Sequence, residues 1–212
     1  MRSVAICLIL AILGSQSSAG ADDAKSRINQ VVIVVGGEEK LLTKFEFRER
    51  VLITDTPAAP PTPDEKGNRT SVVEVGKNWW LGTKKRDKDK VRVLCWAWSL
   101  QLLREPTSKI EEIPNTKVGD TAAFGLRVTE SIAQPLTLHF DAQSHKLLAI
   151  DYTDTRHIFS EWKTTEAGHH YPAHVTGYRF ADAAAGTLQA KQWYQTDILE
   201  LKPLSELPAE LK

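Results

Sequence analysis

A helical spacing of apolar residues governs two stretches of this chain, and a spacing of two governs most of the rest. Ile28, Val31, Val32 and Val35 fall at i, i+3, i+4 and i+7, and Leu41 and Leu42 continue the apolar face beyond Gly36-Gly37. That spacing predicts a helix broken at the glycines, with Glu38, Glu39 and Lys40 turned to water. The β-branched run from Val31 to Val35 equally suits a buried strand, and the two glycines would end either element. Val93, Trp96, Ala97, Leu100 and Leu103 form a longer stripe, which predicts a helix over residues 93–103 stopped by Pro106.

Strand-like segments frame that helix. Phe45, Phe47, Val51 and Ile53 read as a strand interrupted by Glu46, Arg48, Glu49 and Arg50, and residues 69–75 alternate as well. Between them Pro57, Pro60, Pro61 and Pro63 withhold backbone donors, so residues 55–68 are expected to form a surface loop. From Ser108 onward the alternation is sustained. It runs through Phe124, Leu126 and Val128, through Leu136, Leu138 and Phe140, and through Leu148, Ile150 and Tyr152. Ile158, Ser160 and Trp162 share one face of the next run, and residues 175–180 and 189–201 complete the set, with Asn115 to Asp120 read as a turn. Connections too short for crossover helices make these strands antiparallel neighbours. The expected architecture is α+β, a strongly curved antiparallel sheet wrapped over one or two helices, with tryptophans supplying bulk to the covered face.

The N-terminus follows a different logic. Arg2 precedes ten apolar residues from Val4 to Leu13, and Ala19-Gly20-Ala21 ends a small, polar stretch before Asp22 and Asp23. A positive start, a short apolar centre and a small-x-small ending are the marks of a secretory signal peptide over residues 1–21. The run is shorter than the roughly 20 residues that span a bilayer, and no later stretch is long enough. Cleavage after Ala21 would leave one domain over residues 22–212, exported to a periplasmic or extracellular space. Cys7 would leave with the leader, so Cys95 would have no intramolecular disulfide partner and stability would have to come from packing.

Composition narrows the function classes. The chain has 212 residues, with 27 basic and 27 acidic side chains and 42% hydrophobic content, which fits a globular fold and removes a global electrostatic case for nucleic acid. The densest basic run, residues 84–90, contains no aromatic side chain for base stacking and reads as a solvated hairpin tip.

Several segments resemble a known family. Leu136-Thr-Leu-His-Phe-Asp141, Lys146-Leu-Leu-Ala-Ile-Asp-Tyr152, Ile158 to Trp162, Gly168-His-His-Tyr-Pro172 and Asp197-Ile-Leu-Glu-Leu201 resemble the strand pattern of exported LolA-like proteins, the outer-membrane lipoprotein-sorting superfamily. Gly36-Gly-Glu-Glu-Lys-Leu41 is similar to the turn after that family's N-terminal helix. The resemblance covers about residues 28 to 205 and is closest to an uncharacterised branch of exported bacterial proteins. It implies an incomplete β-barrel capped by helices, whose hollow holds lipid or acyl chains in characterised branches. The Pro-rich segment and Trp79-Trp80 depart from the lipoprotein carriers, and no acyl-binding position carries over residue by residue.

Three functions compete. The first is a non-enzymatic exported protein that binds an apolar ligand, a lipid or acyl chain, or a hydrophobic protein segment in the concavity of the sheet. Its candidate residues are Trp79, Trp80, Phe140, Tyr152, Trp162 and Trp193, each of which also suits plain core packing. The second is an envelope protein that docks a partner through an exposed sheet edge or the charged run at 84–90. The third is a metal-dependent hydrolase built from His and acidic residues. On an extended strand His170 and His174 stand about 13 Å apart, too far to share one ion, and adjacent His169 points to the other face. Asp141, Asp151, Asp154 and Glu161 suit the wet face of a sheet. No phosphate-binding loop, nucleophile elbow or zinc-protease pattern is present, so no cofactor is implied. Asn68-Arg-Thr70 is a glycosylation sequon that matters only on a eukaryotic secretory route.

Overall fold

The computed structural model describes residues 19–53, 64, 66–86 and 90–212. Most of the expected leader, most of the expected Pro-rich loop and part of the charged run at 84–90 lie outside those residues. The first element is helix α1 (Ala19–Val34). Helical spacing wins over the β-branched run because Ala24, Ile28, Val31 and Val32 make one buried stripe, while Ile33 stands 71% exposed. Gly36 and Gly37 stop the helix with φ of 98° and 95°, conformations that favour glycine, and the Gly37 N–H donates to the Val32 carbonyl at 3.0 Å.

The strands are β1 (Lys44–Ile53), β2 (Arg69–Glu74), β3 (Asn78–Leu81), β4 (Lys84–Lys85), β5 (Lys109–Val118), β6 (Thr121–Thr129), β7 (Leu136–Asp141), β8 (Leu147–Tyr152), β9 (Thr155–Thr164), β10 (His170–Asp182), β11 (Thr187–Leu188) and β12 (Tyr194–Pro203). Every pairing is antiparallel, in the order β4-β3-β2-β1-β12-β10-β9-β8-β7-β6-β5, with β11 on the side of β10. The sheet is open between β4 and β5, so the architecture is α+β with an incomplete barrel. The last strand is not the last in space. It inserts between β1 and β10 and joins the N-terminal ribbon to the C-terminal meander.

Helix α2 (Lys90–Trp98) lies in the concavity and is buried on nearly every side through Val93, Cys95, Trp96, Ala97 and Trp98. It ends well before Pro106, contrary to the sequence expectation of a helix to residue 103. Leu100 takes a left-handed φ of 62°, buries its side chain, and starts a 3-10 turn over Gln101–Arg104 that buries Leu102 and Leu103. The same five-residue stripe is thus packed, but by two short elements at different angles. Phe45, Phe124, Leu126, Leu136, Leu138, Phe140 and Ile150 form one core with α1 and α2, in which Phe45 packs on Trp98 and the Arg27 guanidinium of α1 lies over Phe124, and α1 packs beside β5.

Two further expectations need correction. The expected turn at Asn115 to Asp120 is mostly strand, because β5 continues to Val118 and only Gly119-Asp120 turns. Ile158, Ser160 and Trp162 do not share a face. His157 and Phe159 point into the core cavity, Ile158 packs on the outer cluster of Val118, Ala123 and Ala149, and the left-handed backbone of Glu161, φ 51°, returns Trp162 to the inside. Asn68 of the sequon is buried and donates its amide to Asp64 at 3.0 Å, so it is a structural residue.

Trp96 closes the outer side of α2 against Gly76, where a Cβ would come within 3.0 Å of the indole. Trp96→Ala should therefore cost about 3 to 5 kcal/mol, measured as the shift of a urea unfolding curve with unchanged slope.

Candidate ligand-binding site

The packing of α2 leaves the concavity incompletely filled. A cavity of about 200 Å3 remains between one face of α2, through Val91, Leu94, Cys95 and Trp98, and the inner residues of β1, β9, β10 and β12. Strand alternation explains the wall. On β1 the inward row is Phe45, Phe47, Glu49, Val51 and Ile53, and on β12 it is Tyr194, Thr196, Ile198 and Leu201, with a register shift beside Glu49. Val175 and Phe159 supply the apolar floor from β10 and β9.

Polar groups interrupt this apolar wall at two places. Glu49 is only 4% exposed and accepts a hydrogen bond from Arg69 Nε at 2.8 Å. Burial pushes its carboxyl above the ordinary value, against the pull of Arg69 and Ser71. Across the sheet, a row of paired residues runs from Ile53 to Tyr194 to Gly177 to His157. The Tyr194 ring crosses Gly177 so closely that a Cβ there would lie 1.8 Å from Cε1. Only because that position is glycine does the phenol reach Nδ1 of His157. His157 is 2% exposed, and burial, reinforced by Lys90, pushes its imidazole down to about 3. Burial likewise raises the Tyr194 phenol. Both side chains are neutral at physiological pH. Lys90 at the start of α2 is engaged by Asp154 at 2.7 Å.

A second cavity of about 230 Å3 lies between α1, the end of α2 and the strands β7 to β10, lined by Val31, Leu100, Phe140, Leu147, Trp162 and His170. Trp98 borders both cavities and packs its ring 5.2 Å from that of Phe45.

The six aromatic residues singled out from the sequence are therefore divided. Trp193 lines the first cavity and Phe140 and Trp162 line the second. Trp79 and Tyr152 are packed into the core away from both, and Trp80 lies on the opposite face of β3 from Trp79, with the Lys85 ammonium 6.0 Å from its ring. Glu49, Trp98, His157 and Tyr194 were missed. Alternation already set Glu49 in the row of Phe45, Phe47 and Val51, and His157 in the row of Phe159, but charged and polar residues in such rows read as breaks in the pattern.

His169, His174, Asp141, Asp151 and Asp154 of the metal-hydrolase reading have other partners. His169 donates to the Lys40 carbonyl at 2.8 Å, and His174 donates to Asp197 at 2.6 Å. Asp151 takes Arg156 through two bonds of 2.7 Å and His139 at 2.8 Å. Asp141 accepts backbone N–H bonds within its own turn. Among the described residues no three metal-binding side chains converge.

The chain matches no protein-family model, and no curated protein matches it. Among solved structures it is similar to a LolA superfamily protein from Nitrosomonas europaea, with 10% identity, a TM-score of 0.53, and coverage of 89% of this chain and 96% of that one. This chain has a LolA-like fold. It is also similar to a domain named for outer-membrane lipoprotein sorting from Vibrio parahaemolyticus, with 8% identity, a TM-score of 0.50, and coverage of 90% and 94%. Within this LolA-like fold no described helix is long and apolar enough to cross a membrane.

Two outcomes test the polar row. Gly177→Ala should lower stability by about 1 to 3 kcal/mol, and the penalty should largely vanish when Tyr194→Ala removes the ring; equal penalties in both backgrounds would show that the ring does not set the need for glycine. The pH dependence has a definite sign. Because the folded-state value of His157 lies below the ordinary 6.5, the unfolded chain alone takes the proton between about pH 6.5 and 3. Stability from this group is complete above pH 6.5 and is lost as pH falls through that window. Wild type should lose more stability than His157→Phe between pH 7 and pH 4 in urea titrations.

Proposed function

We propose that this protein is exported and carries an apolar ligand, a lipid or acyl chain, between α2 and the curved sheet. The observation that carries the reading is the cavity of about 200 Å3 walled by Phe47, Val51, Leu94, Trp98, Phe159 and Ile198. A concave, mostly apolar hollow with a few polar groups in its wall is the usual form of a small-molecule site. Here a hollow persists beside a helix with two buried tryptophans. Ligand pockets commonly enclose about 300 to 1,000 Å3, more than either cavity alone. Trp98 lines both cavities, and this reading takes its indole as the partition between Trp193 on one side and Phe140 and Trp162 on the other. Trp79, Trp80 and Tyr152 serve packing in this reading.

Export rests on the leader read at residues 1–21, and an envelope role is supported by the likeness in fold to a domain named for lipoprotein sorting. Binding is the reading preferred to hydrolysis because Asp141, Asp151, Asp154, His169 and His174 are each engaged by local partners.

Native mass spectrometry of the purified protein mixed with acyl chains of graded length should show one retained chain. Trp98→Ala should move the preference toward longer chains. A folded protein that retains none overturns the proposal and leaves a protein partner, docked at the exposed Lys84 and Lys85 edge, as the reading to pursue.

A further inference from the structure

We propose that the cavity beside α2 receives an uncharged hydrogen-bond acceptor at the polar end of its ligand, an ester or amide carbonyl, through the N–H groups of His157 and Trp193. The inference rests on the carrier reading above and adds the chemistry of the ligand's polar end. Two residues that line this one cavity each carry a buried side-chain nitrogen with no hydrogen-bond partner among the described residues, Nε2 of His157 and Nε1 of Trp193. Native interiors pair nearly all such groups, so two orphans in one wall call for an explanation.

Both orphans are donors. An indole nitrogen can only donate. For His157 the neighbour decides the tautomer. The Tyr194 hydroxyl keeps its proton and meets no acceptor other than Nδ1 of His157 among the described residues, so the arrangement that pairs its O–H has the phenol donating there and leaves the imidazole hydrogen on Nε2. The complement of two donors is a ligand whose polar end brings an acceptor.

Charge separates a carbonyl from a carboxylate. Arg69 is engaged by the Glu49 carboxyl at 2.8 Å, and Lys90 is taken by Asp154 at 2.7 Å. A ligand carboxylate would be a buried anion with no cation of its own, which a low-dielectric site disfavours strongly. A neutral carbonyl satisfies the donors without adding charge. Trp193 stands edge-on to Tyr194 with centroids 4.7 Å apart, and the same tyrosine ring lies 5.7 Å from that of His157, so Tyr194 packs against both donor residues.

The test is displacement of N-phenyl-1-naphthylamine, a neutral fluorescent probe, at pH 8 by methyl dodecanoate, dodecanoate and tridecane. The expected result is that the ester displaces the probe at roughly tenfold lower concentration than either of the others, about the worth of one net hydrogen bond. Trp193→Phe and His157→Leu should each reduce that preference for the ester over tridecane while leaving tridecane displacement in place. Dodecanoate competing as well as the ester overturns the proposal, as does an ester preference that survives in both folded variants. Should the variants not fold, the three competitors on the wild-type protein decide it alone. Failure of the probe and of all three competitors to bind would instead remove the carrier reading beneath it.

Discussion

The burial of a short helix inside an open sheet is the constraint on which the rest of this structure depends. A nine-residue helix such as α2 is too short to persist in water by itself, and with apolar side chains on nearly every side it has no face to offer solvent. The sheet has the reciprocal problem. Its concave side carries fully buried Phe45, Phe124, Phe140 and Leu138, which need a second layer. Each element is the other's core. Because a rod-shaped helix cannot match a curved sheet along its whole length, space remains on either side of Trp98.

What fills the wall around that space is at odds with a core made only for stability. Glu49 with Arg69, and His157 with Tyr194, place four polar side chains where aliphatic residues would pack without a desolvation cost. Gly177 extends the same theme, since a strand interior gains nothing from glycine except the close passage of the Tyr194 ring. Several local rules broken together in the wall of one cavity are what the binding proposal draws on.

The likeness to LolA-like structures at about a tenth of identical positions has a physical basis. An open antiparallel sheet over buried helices asks for alternation, turn residues and a few bulky apolar side chains, and many residue choices satisfy that demand. Fold can therefore be shared while the lining of the hollow differs. The lining belongs to this chain, and so does the chemistry it permits.

The sequence by itself determined the periods. Strands β6 to β8 follow from alternation, α1 from its i, i+3, i+4 stripe, and the antiparallel arrangement from connections too short to cross over. The family resemblance to an incomplete barrel followed from the same strand and turn signals. Only the tertiary structure decided that β12 lies between β1 and β10, that Leu100 ends α2 in a left-handed conformation, and that Glu161 turns Trp162 inward. It alone set Tyr194 over Gly177 and against His157, and divided Phe140, Trp162 and Trp193 from Trp79, Trp80 and Tyr152. The reason is range. Periodicity is a property of near neighbours and is written in any window of ten residues, whereas a partner across the sheet is chosen by register and curvature summed over strands far apart in sequence.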